Sequence, residues 1–208
     1  MLRPDMVRYS LVAAVTLLVA ALAGFVGAQM TREIYVPILA PTAMGAAIGC
    51  TLGFSVHVAR VRAGWVVWGL ALLAWMICVS VFHWTEYRIG FIDEVRQWYT
   101  LEGNYAGSID VSSEEALVLS EDLLQEEVGR GGFSGFLLFR LRSGLRLRGA
   151  NAELGALWAG LVWFLDLAIV LGLSVRIALG VQRRIPPSTA TENQAVSDRA
   201  PEPRSPFS

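Results

Sequence analysis

Four long apolar stretches dominate the pattern of hydrophobic and polar positions along the chain, and each contains 18 or more residues. About 20 apolar residues in a helix cross the roughly 30 Å hydrocarbon core of a bilayer. Because backbone groups in lipid must satisfy one another within the membrane, helices rather than open strands are expected. The pattern therefore predicts transmembrane helices over about residues 10–29, 35–59, 64–84 and 154–180.

The composition agrees with a membrane location and narrows the chemistry. Hydrophobic residues make up 54% of the chain and the mean hydropathy is +0.50, which is more than a water-soluble surface accommodates. All 17 basic residues are arginines, so lysine-based covalent catalysis is excluded. The sequence contains no phosphate-binding glycine loop, nucleophile elbow or Cys-x-x-Cys pair. We therefore expect that the protein is not an enzyme and has no catalytic residue, that it binds no cofactor or metal, and that it does not bind nucleic acid.

The placement of arginine predicts the orientation in the membrane. Arginines precede the first span, fill the connection at residues 60–62 and follow the fourth span at residues 176–184. Loops rich in basic residues stay in the cytoplasm, so both termini are expected there, with the protein in a bacterial cytoplasmic membrane. The first span is either a retained anchor or a cleaved signal peptide, because residues 26–28 are small. Its long apolar run favours the anchor.

Three glycines in the second span lie at a strict four-residue spacing. Gly45, Gly49 and Gly53 share one helix face, on which a second helix can approach closely. This face either packs inside the four-helix bundle or forms an oligomer interface or a pore lining.

Residues 85–153 are predicted to form a small, mainly helical extracytoplasmic cap. Aromatic and apolar residues recur at helical spacing after the third span, so the third helix should continue beyond the membrane. The residues with this spacing are Trp84, Tyr87, Phe91, Val95 and Trp98. The extension either lies along the membrane surface or packs beneath the rest of the cap.

Capping signals predict a second cap helix. Ser112 and Glu115 have the spacing of a capping box, and Gly129 is placed to end the helix. Further on, residues 136–148 are either a helix through Arg142 followed by a short strand, or a hairpin. The helix with a strand is favoured.

The predicted cap is divided into an acidic and a basic half. Residues 85–129 contain eleven acids, whereas residues 130–153 contain five arginines. The halves either dock on each other, or the arginines contact a partner or anionic headgroups. The arginines singled out for these roles are Arg140, Arg142, Arg146 and Arg148.

Asp166 is the one acidic side chain inside the four predicted spans and lies near the middle of the fourth. A carboxylate at a helix centre costs about 2.5–3.5 kcal/mol, so it should face the bundle interior, be protonated, or form hydrogen bonds. Candidate hydrogen-bond partners are Thr16, Thr42 and Thr51. Asp166 is either a proton, cation or substrate site or an interhelical hydrogen bond.

The two histidines and the C-terminal segment complete the prediction. His57 and His83 fall near opposite ends of their spans, so one haem cannot reach both, and we interpret them as interfacial residues. Residues 181–208 are predicted to be a disordered cytoplasmic tail, since five prolines follow residue 185.

These features predict an all-α membrane protein with a four-helix transmembrane bundle, a charged cap and a disordered tail. The expected function is a non-enzymatic assembly component that contacts the lipid bilayer and binds itself or a membrane protein through its glycine face. The alternative is a small transporter or channel subunit that uses Asp166 as a proton or ion site.

Overall fold

The computed structural model describes residues 4–33, 38–61, 63–104, 111–143, 145–146, 153–154 and 156–184. Its helices are α1 (Pro4–Glu33), α2 (Leu39–Val58), α3 (Gly64–Thr85), α4 (Ile92–Asn104), α5 (Ser113–Val128), α6 (Gly132–Ser143) and α7 (Ala156–Gln182). A π-helical segment, Glu86–Phe91, joins α3 to α4, and the two-residue strands β1 (Leu145–Arg146) and β2 (Glu153–Leu154) pair antiparallel. The predicted tail beyond Arg184 lies outside the described residues.

Within the described residues, four helices are long and apolar enough to cross a membrane. They are Met6–Thr31, Leu39–Val58, Gly64–Thr100 and Gly160–Gln182. The four predicted transmembrane helices are therefore confirmed, and the protein is a helical bundle with a membrane location. The large apolar side chains of these helices are mostly exposed, as expected for surfaces that face lipid.

The bundle is built from two pairs of parallel helices. Alternate crossing directions make α1 parallel to α3 and α2 parallel to α7, and these two pairs have the most extensive contacts. Along α2 and α7 the residue numbers rise together, because Gly45 meets Val170 and Gly53 meets Ala178. The four helices are arranged in a ring in the order α1, α2, α7, α3. The two pairs with the most extensive contacts therefore join helices that are not consecutive in the sequence.

The glycine face of α2 is filled by α7 of the same chain. A Cβ atom at Gly49 would lie 2.9 Å from the Cα of Ser174, and one at Gly45 would lie 2.9 Å from the carbonyl oxygen of Val170. The buried Ser174 hydroxyl donates to the carbonyls of Val170 at 2.7 Å and of Gly45 at 3.1 Å. Glycine thus allows the two backbones to come into contact. Of the alternatives for this face, the structure shows helix packing inside the bundle.

A continuous helical rod carries the cap. Helix α3 passes through the π-helical segment into α4 without interruption, as the aromatic spacing predicted. Tyr87, Phe91 and Val95 on this rod are buried against Leu124 of α5 and Phe136 of α6. The extension therefore packs beneath the rest of the cap and does not lie along the membrane surface.

The boundaries of α5 follow the capping signals. The Ser112 hydroxyl accepts from the Glu115 amide at 3.3 Å, and the Ser112 amide donates to the Glu115 carboxylate at 2.9 Å. Hydrogen bonds to the Glu115 carboxylate, from the Ser112 backbone amide first and from the Ser112 side chain second, hold the pKa of this carboxyl below its ordinary value. Gly129 ends the helix with φ of 73°, a left-handed conformation that glycine adopts without strain. Both predicted ends of this helix are confirmed.

The chain after α5 resolves the choice between helix and hairpin. Helix α6 covers Gly132–Ser143 and is followed by β1, so the favoured interpretation of residues 136–148 is confirmed. The partner of β1 is β2, with Arg146 opposite Glu153, and not the preceding segment that the hairpin required. A hairpin is excluded here because residues 132–143 are already helical.

Substitution of Gly49 by alanine is predicted to destabilise the bundle by about 1–3 kcal/mol, because the new methyl group would overlap the backbone of α7. Gly69 of α3 is the control, since nothing lies within 4 Å of a Cβ at that position. Thermal unfolding in mild detergent should show a lower Tm for Gly49→Ala and little change for Gly69→Ala. Equal behaviour of the two variants would contradict the close contact of α2 with α7.

Candidate functional site at the cap end of the bundle

Asp166 is buried in the bundle, with only 8% of its surface exposed. It lies ten residues after Ala156, where α7 begins, and sixteen before Gln182, where α7 ends. At 1.5 Å per residue, this is about 15 Å from the first residue of the helix.

The register of α7 on α2 sets the level of Asp166. Val170 lies against Gly45, so one turn earlier Asp166 is level with Pro41, in the first turn of α2. The first turn of a helix is the positive end of its dipole and stabilises a nearby anion by typically 0.3–1 kcal/mol. The position of α2 therefore offers a structural reason for a buried carboxylate at this point.

Only one of the three threonines proposed as partners shares the level of Asp166. Thr42 follows Pro41 directly, whereas Thr51 lies more than two turns deeper along α2. Thr16 is buried in the half of α1 that is farther from the cap, and its hydroxyl donates to the Val12 carbonyl at 2.7 Å. The prediction is thus corrected for Thr16 and Thr51, because the helix register separates them from Asp166.

A hydrogen-bonded chain of side chains joins the bundle to the cap one turn above Asp166. The indole N–H of Trp163 on α7 donates to Nε2 of His83 on α3 at 3.1 Å. The other ring nitrogen of His83, Nδ1, is 3.3 Å from Glu86 in the π-helical segment. Glu86 in turn accepts from Arg140 of α6 at 2.9 Å. Four side chains therefore tie together α7, α3, the π-helical segment and α6.

The partners of His83 assign its tautomer. An indole N–H is only a donor, so Nε2 must accept, and the proton sits on Nδ1 facing the Glu86 carboxylate. His83 is only 8% exposed, so this arrangement satisfies both ring nitrogens of a buried imidazole. The interpretation of His83 as a residue at the end of its span is right in position, but its role is to connect helices.

The acidic and basic halves of the cap meet only in part. Arg140 pairs with Glu86, and its guanidinium also lies 5.7 Å from the ring of Phe136. Arg142 donates to the backbone carbonyl of Glu127 at 3.4 Å, at the end of α5. Arg146 lies in β1, and Arg148 is outside the described residues.

Helix α5 carries acidic residues on the sides that its buried residues leave free, and one of them, Glu114, borders the cavity between α5 and the rod. Its inward side is buried at Ala116, Ser120 and Leu124. Its six acids are all exposed, and none forms an ion pair with another residue that the structure describes; they are Glu114, Glu115, Glu121, Asp122, Glu126 and Glu127. We call these six residues the acidic face. The predicted docking of the two halves leaves this face uncovered.

The structure separates the sites that the sequence proposed. The glycines lie between α2 and α7, Asp166 lies near the cap end of the bundle, and the acidic face lies outside. Two cavities, of about 310 and 320 Å³, are lined by residues of the outer end of α3, the rod and the cap, and their described linings do not include Asp166. Among the described residues no group of three or more His, Cys, Asp or Glu side chains is placed to hold a metal ion.

Comparison with protein-family models, with curated proteins and with solved structures found no match to this chain. The class that the fold defines is a multi-pass helical membrane protein with a packed helical cap. Its function must therefore be argued from the geometry of this chain.

Replacement of Trp163 by phenylalanine is predicted to destabilise the protein by about 1–3 kcal/mol, because Nε2 of the buried His83 loses its donor. A double-mutant cycle with His83→Leu, followed by thermal unfolding, measures the coupling. We expect a coupling free energy of about 0.5–3 kcal/mol. Additive effects of the two substitutions would contradict the hydrogen bond.

Proposed function

We propose that this protein is a non-enzymatic membrane assembly component whose cap binds another protein through the acidic face. The observation that carries the proposal is the exposure of all six acids of α5 while the opposite side of the same helix is buried. A face with one sign of charge attracts a basic partner and fixes its orientation more than it adds affinity. The complementary partner is a lysine-rich segment of a second protein.

The packing of the bundle supports an external partner and not assembly through the glycines. The glycine face is occupied by α7, so it offers no surface to a second copy. The cap, in contrast, is held rigidly by its aromatic core and by the link from Arg140 to Glu86. A rigid support reduces the entropy lost when the acidic face binds a partner.

The proposal includes an orientation with both termini in the cytoplasm and the cap outside, in a bacterial cytoplasmic membrane. Arg60 follows α2, and Arg183 and Arg184 follow α7, all at the end of the bundle opposite the cap. The positive-inside rule favours this orientation.

Zero-length crosslinking with a carbodiimide in native membranes tests the partner directly. The reagent joins a carboxylate to an amine in contact with it, and this chain contains no lysine. A bond from an α5 acid to a lysine must therefore lead to a different protein. We expect crosslinked peptides that join residues 121–127 to one recurrent protein. Their absence, with efficient crosslinking elsewhere in the membrane, would contradict the proposal.

The triple variant Glu121→Gln, Asp122→Asn, Glu126→Gln then tests the charge. Each exposed ion pair contributes about 0.2–1 kcal/mol, so losing three should raise the Kd of the complex, measured by native mass spectrometry, by about tenfold. The control is Glu94→Gln, an exposed acid on α4 outside the acidic face. An unchanged complex in the triple variant would show that the acidic face is only a solvated surface.

Transport through Asp166 is the second candidate, and its support is the burial of a carboxylate within an apolar span. The chain of side chains above it does not favour proton relay, because the Trp163 indole donates a hydrogen bond but does not exchange its proton readily. The position of Asp166 beside the first turn of α2 supports a structural role.

Asp166→Asn is therefore predicted to cost about 0.3–1 kcal/mol in stability and to leave proton and sodium flux into proteoliposomes at the background level. Flux is measured with pH- and sodium-sensitive dyes, and stability by thermal unfolding. Wild-type flux above protein-free liposomes that disappears in Asp166→Asn, with normal abundance and folding, would overturn the structural role and favour transport.

A further inference from the structure

An apolar groove opens where the outer end of α3 meets the start of α6. Its volume is about 310 Å³, and it is lined by Ser80, Val81 and Trp84 of α3 and by Phe133 of α6. The rings of Trp84 and Phe133 meet edge to face with centroids 5.5 Å apart. Trp84 is 51% exposed, so the groove is open to the surroundings of the bundle.

The groove lies at the level where an apolar span ends. Ser80 and Val81 are within the long apolar run of α3, and Trp84 is near its last residue. Tryptophan favours the boundary between hydrocarbon and headgroups. The lower part of the groove therefore faces acyl chains, while its upper part faces the headgroup region.

A positive charge lies next to the indole that lines the groove. Arg88 is exposed and lies one turn beyond Trp84, about 6 Å further from the membrane centre. Its guanidinium carbon lies 5.9 Å from the Trp84 ring centroid, so the side chain turns back toward the indole that lines the groove. Along α3 the order is thus an apolar slot, an interfacial indole and a guanidinium, which matches the acyl chain, glycerol and phosphate of a phospholipid.

We propose that this groove binds one anionic phospholipid, with an acyl chain between α3 and α6 and its phosphate at Arg88. The membrane supplies this ligand at the level of the groove, and the guanidinium supplies the complementary charge. Arg88 also borders the second cavity, where Asp93 and Glu114 offset part of its charge. The preference for an anionic headgroup is therefore modest, about fivefold over a zwitterionic one.

Native mass spectrometry of the full chain, titrated with phosphatidylglycerol or phosphatidylcholine of identical acyl chains, tests the site. Wild type should bind the first phosphatidylglycerol about fivefold more tightly. Arg88→Gln should abolish this preference, and Arg88→Lys should retain most of it. The control is Arg142→Gln, an exposed arginine nine residues beyond Phe133 on α6, which should leave the preference unchanged. Equal loss in Arg88→Gln and Arg142→Gln would overturn the site.

A substitution that fills the groove distinguishes binding of the acyl chain from binding of the headgroup. Ser80→Leu changes an exposed residue and leaves Arg88 intact, so it should weaken the binding of both lipids without lowering the Tm. Unchanged binding in Ser80→Leu would overturn the acyl-chain part of the proposal. Glycerol 3-phosphate has the charge without acyl chains and is expected not to compete. If glycerol 3-phosphate displaced the lipid at a concentration equal to that of the lipid, the site would be one for free phosphate, and the proposal would be overturned.

Discussion

The contact between the backbones of α2 and α7 is the constraint on which the rest of the structure depends. Three glycines let α7 approach until side-chain atoms at Gly45 and Gly49 would overlap its backbone. In lipid, helix association relies on close packing and interhelical hydrogen bonds rather than on the hydrophobic effect. The contact fixes a parallel register, with Ser174 donating across it. That register in turn brings Asp166 to the first turn of α2.

The same register connects the membrane bundle to the cap. One turn above Asp166, Trp163 is brought to His83, and the polar contacts continue through Glu86 to Arg140. The rod formed by α3, the π-helical segment and α4 then holds α5 and α6 on an aromatic core. A π-helical segment inside an α-helix is rare and often marks a functional region. Here it carries both the Glu86 that reaches Arg140 and the Tyr87 and Phe91 that form the core.

Local rules predicted the fold more fully than the site. The spans follow from hydrophobic length, and the ends of α5 follow from Ser112, Glu115 and Gly129, because each signal acts within a few residues. The occupant of the glycine face was left open, since a four-residue spacing permits close approach without naming the neighbour. The contact of His83 with Glu86 joins residues three positions apart on one helix, but the contact of His83 with Trp163 joins residues 80 positions apart. No local pattern reports such a contact.

The proposed function rests on the acidic face, because the anchored cap presents six exposed acids and keeps the apolar side of α5 for its core. Carboxyl footprinting tests this account most directly: carboxylates are labelled with a small amine, once in native membranes and once in the purified protein. We expect Glu121, Asp122 and Glu126 to be protected in native membranes and labelled after purification, with Glu94 labelled in both. Equal labelling of the acidic face in the two preparations would contradict a protein partner at this surface.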